Sequence, residues 1–200
     1  MPKIKWAGKI DDISAYQKGN LPPNAQKMKM PQTIGEMMIK AMPFLIIMWA
    51  LVFIVMLIKT LHCGDRTFSP LFIPLGVLAG FPLLLVHELL HGVVYPKDAV
   101  VHIGIIPKNF AAVALASYPL SRARFIFMSL LPFILGIIPL ILFIVMPSSL
   151  KALNGFLFGM AIMGMISPYS DCYNVYQVLK QAPKTAKLQF YGDDLYYISE

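Results

Sequence analysis

Four uncharged, strongly apolar stretches govern what this chain can fold into: residues 41–58, 67–86, 125–150 and 152–170. A bilayer core takes about 20 apolar residues of helix to cross, and each stretch meets or approaches that length. The first (AMPFLIIMWALVFIVMLI) and third (FIFMSLLPFILGIIPLILFIVM) read as ordinary spanning helices, whereas the second and fourth run into polar residues near their C-terminal ends. Composition points the same way. Of 200 residues, 58% are hydrophobic and 14% charged, against about 25% charged in a soluble domain. So little charge cannot cover a water-facing surface, which excludes a soluble globular domain, and the same apolarity excludes disorder.

The 17 Lys+Arg outnumber the 10 Asp+Glu, for a net charge of +7. On so apolar a chain the excess marks loops held at an anionic cytoplasmic leaflet rather than a nucleic-acid partner. Residues 1–40 hold seven lysines; Lys97, Lys108, Arg122 and Arg124 follow the second stretch, and Lys180, Lys184 and Lys187 follow the fourth. With four spans these cations share one face, leaving Lys59, Arg66 and Lys151 on the other. Both termini are therefore expected in the cytoplasm of a multi-pass cell-membrane protein. The first apolar run begins at residue 41 with no small-residue cleavage site after it, so no signal peptide is expected. Two cysteines, Cys63 and Cys172, fall on opposite faces, which argues against a disulfide between them.

Between the spans, residues 1–30 read as a polar segment broken at Leu21-Pro22-Pro23-Asn24. Thr33 and Glu36 have capping-box spacing, so a helix is expected to start there. Residues 100–118 are β-branched or small on both sides of Pro107-Lys108-Asn109 and read as a hairpin; residues 186–198 hold a second around Gly192-Asp193. The expected fold class is an all-α polytopic membrane protein of about four transmembrane helices with a small cytoplasmic β-hairpin. Its expected divisions are a cytoplasmic N-terminal segment (1–40) with the start of an interfacial helix, a membrane-embedded domain (41–179) and a cytoplasmic tail (180–200).

The second apolar stretch ends in His87-Glu88-Leu89-Leu90-His91. Helical residues four apart stand one turn above each other, so both imidazoles can reach one zinc ion. Glu88, next to the first histidine, is then placed to take a proton from a water molecule. Two histidines and a carboxylate within a spanning helix are costly unless they are paired or bind an ion.

A catalytic zinc site takes a third protein ligand. An extended motif would need histidine at position 97, which is Lys97, and the sole downstream glutamate is Glu200. The aspartates at 98, 171, 193 and 194 remain, with His102 behind them. His87 lies 21 residues beyond Arg66 and Asp171 lies 20 beyond Lys151. If both segments run inward from the same surface, both residues sit about 30 Å below it. Depth favours Asp171, with Asp98 and His102 as alternatives and a simple interfacial cap as the bland reading of Asp171. Cys172 reads as a buried structural thiol.

The His87–His91 motif, followed about 80 residues later by Pro168-Tyr169-Ser170-Asp171, resembles the site-2 protease class of intramembrane zinc metalloproteases. The small bacterial membrane proteins of the "putative zincin peptidase" family are the most similar. They share the order of motif helix, hairpin, Ser/Arg-rich turn (Ser121-Arg122-Ala123-Arg124-Phe125) and Pro-containing third span. The resemblance covers roughly residues 20–190. It implies Zn2+ held by His87, His91 and Asp171, with Glu88 as the catalytic base. Cys172 stands where the class has glycine, and the asparagine upstream of the proline is absent; Asn154 and Asn174 are candidate substitutes.

The expected activity is that of a zinc endopeptidase cleaving membrane or membrane-adjacent polypeptides near the cytoplasmic face. A non-proteolytic zinc-binding membrane scaffold or partner subunit is the alternative. The bilayer and a membrane-protein or peptide substrate are the expected partners, and homo-oligomerisation stays open. Gly76 and Gly80 fit a helix-packing pattern, Pro82 falls just before the motif, and the 100–118 hairpin could hold a substrate by strand addition. An oxyanion-stabilising residue is not legible, although Tyr169, Tyr173 and Asn174 stand near Asp171.

Overall fold

The computed structural model describes residues 1–109 and 111–199; Phe110, inside the predicted first hairpin, and Glu200 lie outside the described residues. Along the chain run β1 (Lys3–Lys9), β2 (Ala25–Lys27), α1 (Ile34–Cys63), α2 (Ile73–Gly80) and α3 (Leu83–Val93). Then come β3 (Val100–Ile106), β4 (Ala111–Leu115), β5 (Leu120–Ser121), α4 (Arg122–Leu130) and α5 (Ile134–Val145), followed by α6 (Lys151–Ile166), α7 (Tyr169–Gln181), β6 (Lys187–Tyr191) and β7 (Asp194–Ile198). These form two compact units. One comprises Met1–Lys40, Leu85–Leu131 and Asp171–Glu200; the other comprises Ala41–Leu84 and Pro132–Ser170.

The first unit corrects the all-α expectation, because two sheets lie in it. One has the strand order β1-β3-β4 and the other β2-β7-β6-β5. Both predicted hairpins form, as β3–β4 and β6–β7. Gly192 opens the second turn at φ 60, a left-handed conformation that glycine adopts without steric cost. What overturns the expectation is the N-terminal segment, read from sequence as polar and broken at Leu21-Pro22-Pro23-Asn24, with no strand expected in it. Residues 3–9 pair in parallel with β3, and residues 25–27 pair antiparallel with β7. Each partner lies far along the chain, where local pattern carries no trace of it. The core between these sheets and the helices gathers Val101, Ile103, Leu120, Phe125, Val178 and Leu188.

The second unit is helical. Gly76 on α2 and Gly159 on α6 let two backbones meet: a Cβ at Gly76 would collide with the Phe156 carbonyl, and one at Gly159 with the Ile73 carbonyl. Gly80 faces Met163 on the same helix, so Gly76 and Gly80 pack a helix pair, as small residues do in apolar bundles. Lys59 is buried. Its Nζ donates to the carbonyls of Phe143 and Met146 and to Asn154 Oδ1, satisfying acceptors that the last turn of α5 leaves without helical partners. Asn154 Nδ2 in turn donates to the Thr67 and Pro147 carbonyls, each at 2.9 Å.

Three helical stretches among the described residues are long and apolar enough to cross a membrane: Ile34–Cys63, Arg122–Val145 and Lys151–Gln181. A fourth arises if Pro70–Gly80 and Leu83–Val93, broken at Phe81-Pro82, count as one. The start of α1 follows the predicted cap, with Thr33 Oγ1 accepting from the Glu36 amide at 3.1 Å. Its most apolar window has a mean hydropathy of 2.8 and only 11% of it is buried. Ile46, Trp49, Ile54 and Ile58 stand exposed on it, which is compatible with a lipid environment.

Candidate metal centre

Pro82 lacks an amide hydrogen and ends the helical run before it, so α3 starts afresh at Leu83. The new helix carries His87 and His91 one turn apart, both buried, at 5% and 9% exposure. Their rings meet edge to face at 4.7 Å between centroids, with the two Nε2 atoms 3.0 Å apart. On α7, Asp171 lies in the first turn, where the helix dipole favours a carboxylate. Its Oδ2 is 3.2 Å from His87 Nε2 and its Oδ1 is 3.5 Å from His91 Nε2. Glu88 Oε1 stands further off, 4.0 Å from His87 Nε2.

Helix α4 grips both carriers of this cluster. Its N-cap is Ser121, whose Oγ accepts from the Arg124 amide. Arg124 Nε donates to the Val94 carbonyl at the end of α3 at 2.7 Å, and Arg122 Nη2 donates to the Leu179 carbonyl of α7 at 3.2 Å. Further along α4, the Met128 carbonyl lies 2.9 Å from His91 Nδ1. A carbonyl only accepts, so His91 carries its proton on Nδ1 and turns the Nε2 lone pair toward His87 and Asp171. Gly92 lets the end of α3 lie on the sheet, against Val101, Ile4 and Ile103.

The donor set fits a zinc ion. Ligand atoms about 2.0–2.1 Å from zinc in a tetrahedron lie about 3.3 Å from one another, and the three separations here are 3.0, 3.2 and 3.5 Å. A lone pair and a carboxylate converging at such range repel unless a proton or a metal cation lies between them. The ligating atoms of His87, Glu88 and His91 also all lie within 4.8 Å of one another. Asp171 lies closer to the two rings than Glu88 does.

The alternatives lie elsewhere. Asp98 accepts from the Tyr118 hydroxyl at 2.6 Å, which raises the pKa of that tyrosine. His102 sits on β3 with its ring 5.2 Å from Tyr16; its Nδ1 is buried with no hydrogen-bond partner among the described residues. Burial, helped by Lys5, holds its pKa below the usual histidine value. Asp194 pairs with Lys27 at 2.6 Å, and Asp193 lines an open cleft with Asp11, Asp12 and Lys108. Glu200 lies outside the described residues. Cys172 is buried and both cysteines are free. The Tyr173 hydroxyl accepts from Gln177, while Asn174 Oδ1 is buried without a partner among the described residues. The sequence reading passed over α4 as an organiser, although its Ser/Arg-rich start was the visible signal.

No curated protein and no solved structure matches the chain. The family described as "Putative zincin peptidase" matches residues 80–187, a span that takes in His87, Glu88, His91, Asp171 and the whole of α4. With more than half its length matched, the protein belongs to that zincin peptidase family.

Proposed function

We propose that the protein is a membrane-embedded zinc endopeptidase of the site-2 protease type, acting on membrane or membrane-adjacent polypeptides near the cytoplasmic face. The observation that carries this reading is the convergence of Asp171 on the two histidine Nε2 atoms with Glu88 4.0 Å from His87. A purely structural site has no use for such a base, which weighs against a scaffold.

His87, His91 and Asp171 would hold the ion. When bound, zinc supplies Lewis acidity, polarising a peptide carbonyl and acidifying water. Glu88 Oε1 accepts the proton of the attacking water and returns it to the leaving amine nitrogen. Strand β4 follows the motif helix in the same compact unit. That strand is an edge of its sheet, so its outer face offers main-chain donors and acceptors to an unwound substrate segment. Both termini are assigned to the cytoplasmic side.

Glu88→Gln tests the role of the base. Cleavage of a membrane-protein substrate should fall about 10²–10⁴-fold while bound zinc, read by elemental analysis, stays near one per chain. Asp171→Ala should lower the zinc content itself. Equal cleavage by the Glu88→Gln form and the parent would remove the catalytic assignment.

A further inference from the structure

His91 depends on one acceptor, the Met128 carbonyl, and in an uninterrupted helix that acceptor would already be taken. The amide of residue i bonds the carbonyl of residue i−4, so the competitor for Met128 is the amide of residue 132. Residue 132 is Pro132, which has no amide hydrogen. The neighbouring bond is made as usual, the Leu131 amide going to the Phe127 carbonyl. The ladder therefore misses one rung, and the free carbonyl is the one to which His91 Nδ1 donates at 2.9 Å.

We infer that Pro132 is a positioning residue for the metal centre: by withholding an amide it reserves the Met128 carbonyl for His91 and so fixes the tautomer that presents Nε2 to the ion. This rests on the zinc reading above and extends it to a residue that touches neither ion nor substrate. The ring of Pro132 is buried, so a packing role is the rival explanation. The two separate in the sign of their effects. Pro132 lies in a 3-10 turn, Leu131–Phe133, between α4 and α5; alanine suits a helix better than proline, so Pro132→Ala supplies the missing amide and lets the turn close in α geometry onto the Met128 carbonyl. The Met128 carbonyl is then shared, and His91 loses part of the bond that orients it.

The experiment uses the full chain in lipid nanodiscs, with zinc affinity read by competition against a chromophoric chelator and folding read by thermal unfolding without metal. Pro132→Ala should weaken zinc binding about 10–100-fold, the usual cost of losing a partner behind a ligand, with the unfolding midpoint unchanged or higher. Replacing Pro132 by lactic acid, an α-hydroxy acid that leaves a backbone ester, gives the side chain of alanine with neither ring nor amide hydrogen. It should restore affinity to within about threefold of the parent. Parent-like affinity in Pro132→Ala, or an ester form as weak as Pro132→Ala, overturns the inference while leaving the zinc reading standing. Zinc binding that His91→Ala does not weaken removes the zinc reading itself, and the inference with it.

Discussion

His87 and His91 are held as donors toward a shared point, and the contrast with Lys59 shows what such burial demands. Lys59 is as buried as His91, yet its ammonium meets two carbonyls and an amide oxygen, all supplied by the protein. Its needs are met locally, and it reads as a structural plug. At the cluster, two Nε2 atoms and two carboxylate oxygens face one another at 3.0–3.5 Å, a donor set that a divalent cation would suit. Lys59→Met should therefore lower stability by about 2–4 kcal/mol, because Asn154 and two carbonyls lose a charged donor. Thermal unfolding in detergent checks this, and zinc content should be unaffected. At this scale the His-Glu-x-x-His spacing was legible because both ligands lie on one helix turn. The role of Met128 was not, since a backbone carbonyl has no letter in the sequence and only a proline four positions on betrays it.

Among the elements, α4 carries the most organisation per residue. Arg124 ties it to the end of α3, Arg122 ties it to α7, and the Met128 carbonyl meets His91. Substituting both arginines by alanine should let the two ligand-bearing helices drift and weaken zinc binding by about tenfold or more, measured by chelator competition on the intact protein. The spans and both hairpins were readable because their signals are local: twenty apolar residues, a Thr33 cap, a Gly192 turn. Strand β1 was hidden because its alternation, Lys3-Ile4-Lys5-Trp6, stops after four residues at Ala7-Gly8 and its partner begins at Val100. Strand β2, three residues long, has no periodicity to detect.

Over the whole molecule, long apolar helices coexist with two small sheets, and the fold is mixed where the sequence led us to expect an all-α protein with only hairpins beside it. The apolar surface left uncovered on α1 is compatible with a bilayer, and the lysine-rich segments argue for a cytoplasmic position of the sheets. A reporter fused after His62 should read non-cytoplasmic, and reporters at either terminus cytoplasmic; the reverse pattern would invert the proposed orientation. Treatment with a zinc chelator should stop proteolysis, with recovery on adding zinc back, as judged by comparing membrane proteomes of cells carrying the parent and the Glu88→Gln form. Strand β1 waits for β3, and β2 waits for β7, whose last residue is Ile198. Pairings between such distant segments form late and slowly. A nascent chain can therefore hold every strand of the β1-β3-β4 sheet by Leu115, before Arg122–Val145 and Lys151–Gln181 are made, whereas the β2-β7-β6-β5 sheet waits for Ile198, so the two sheets close at different moments of synthesis.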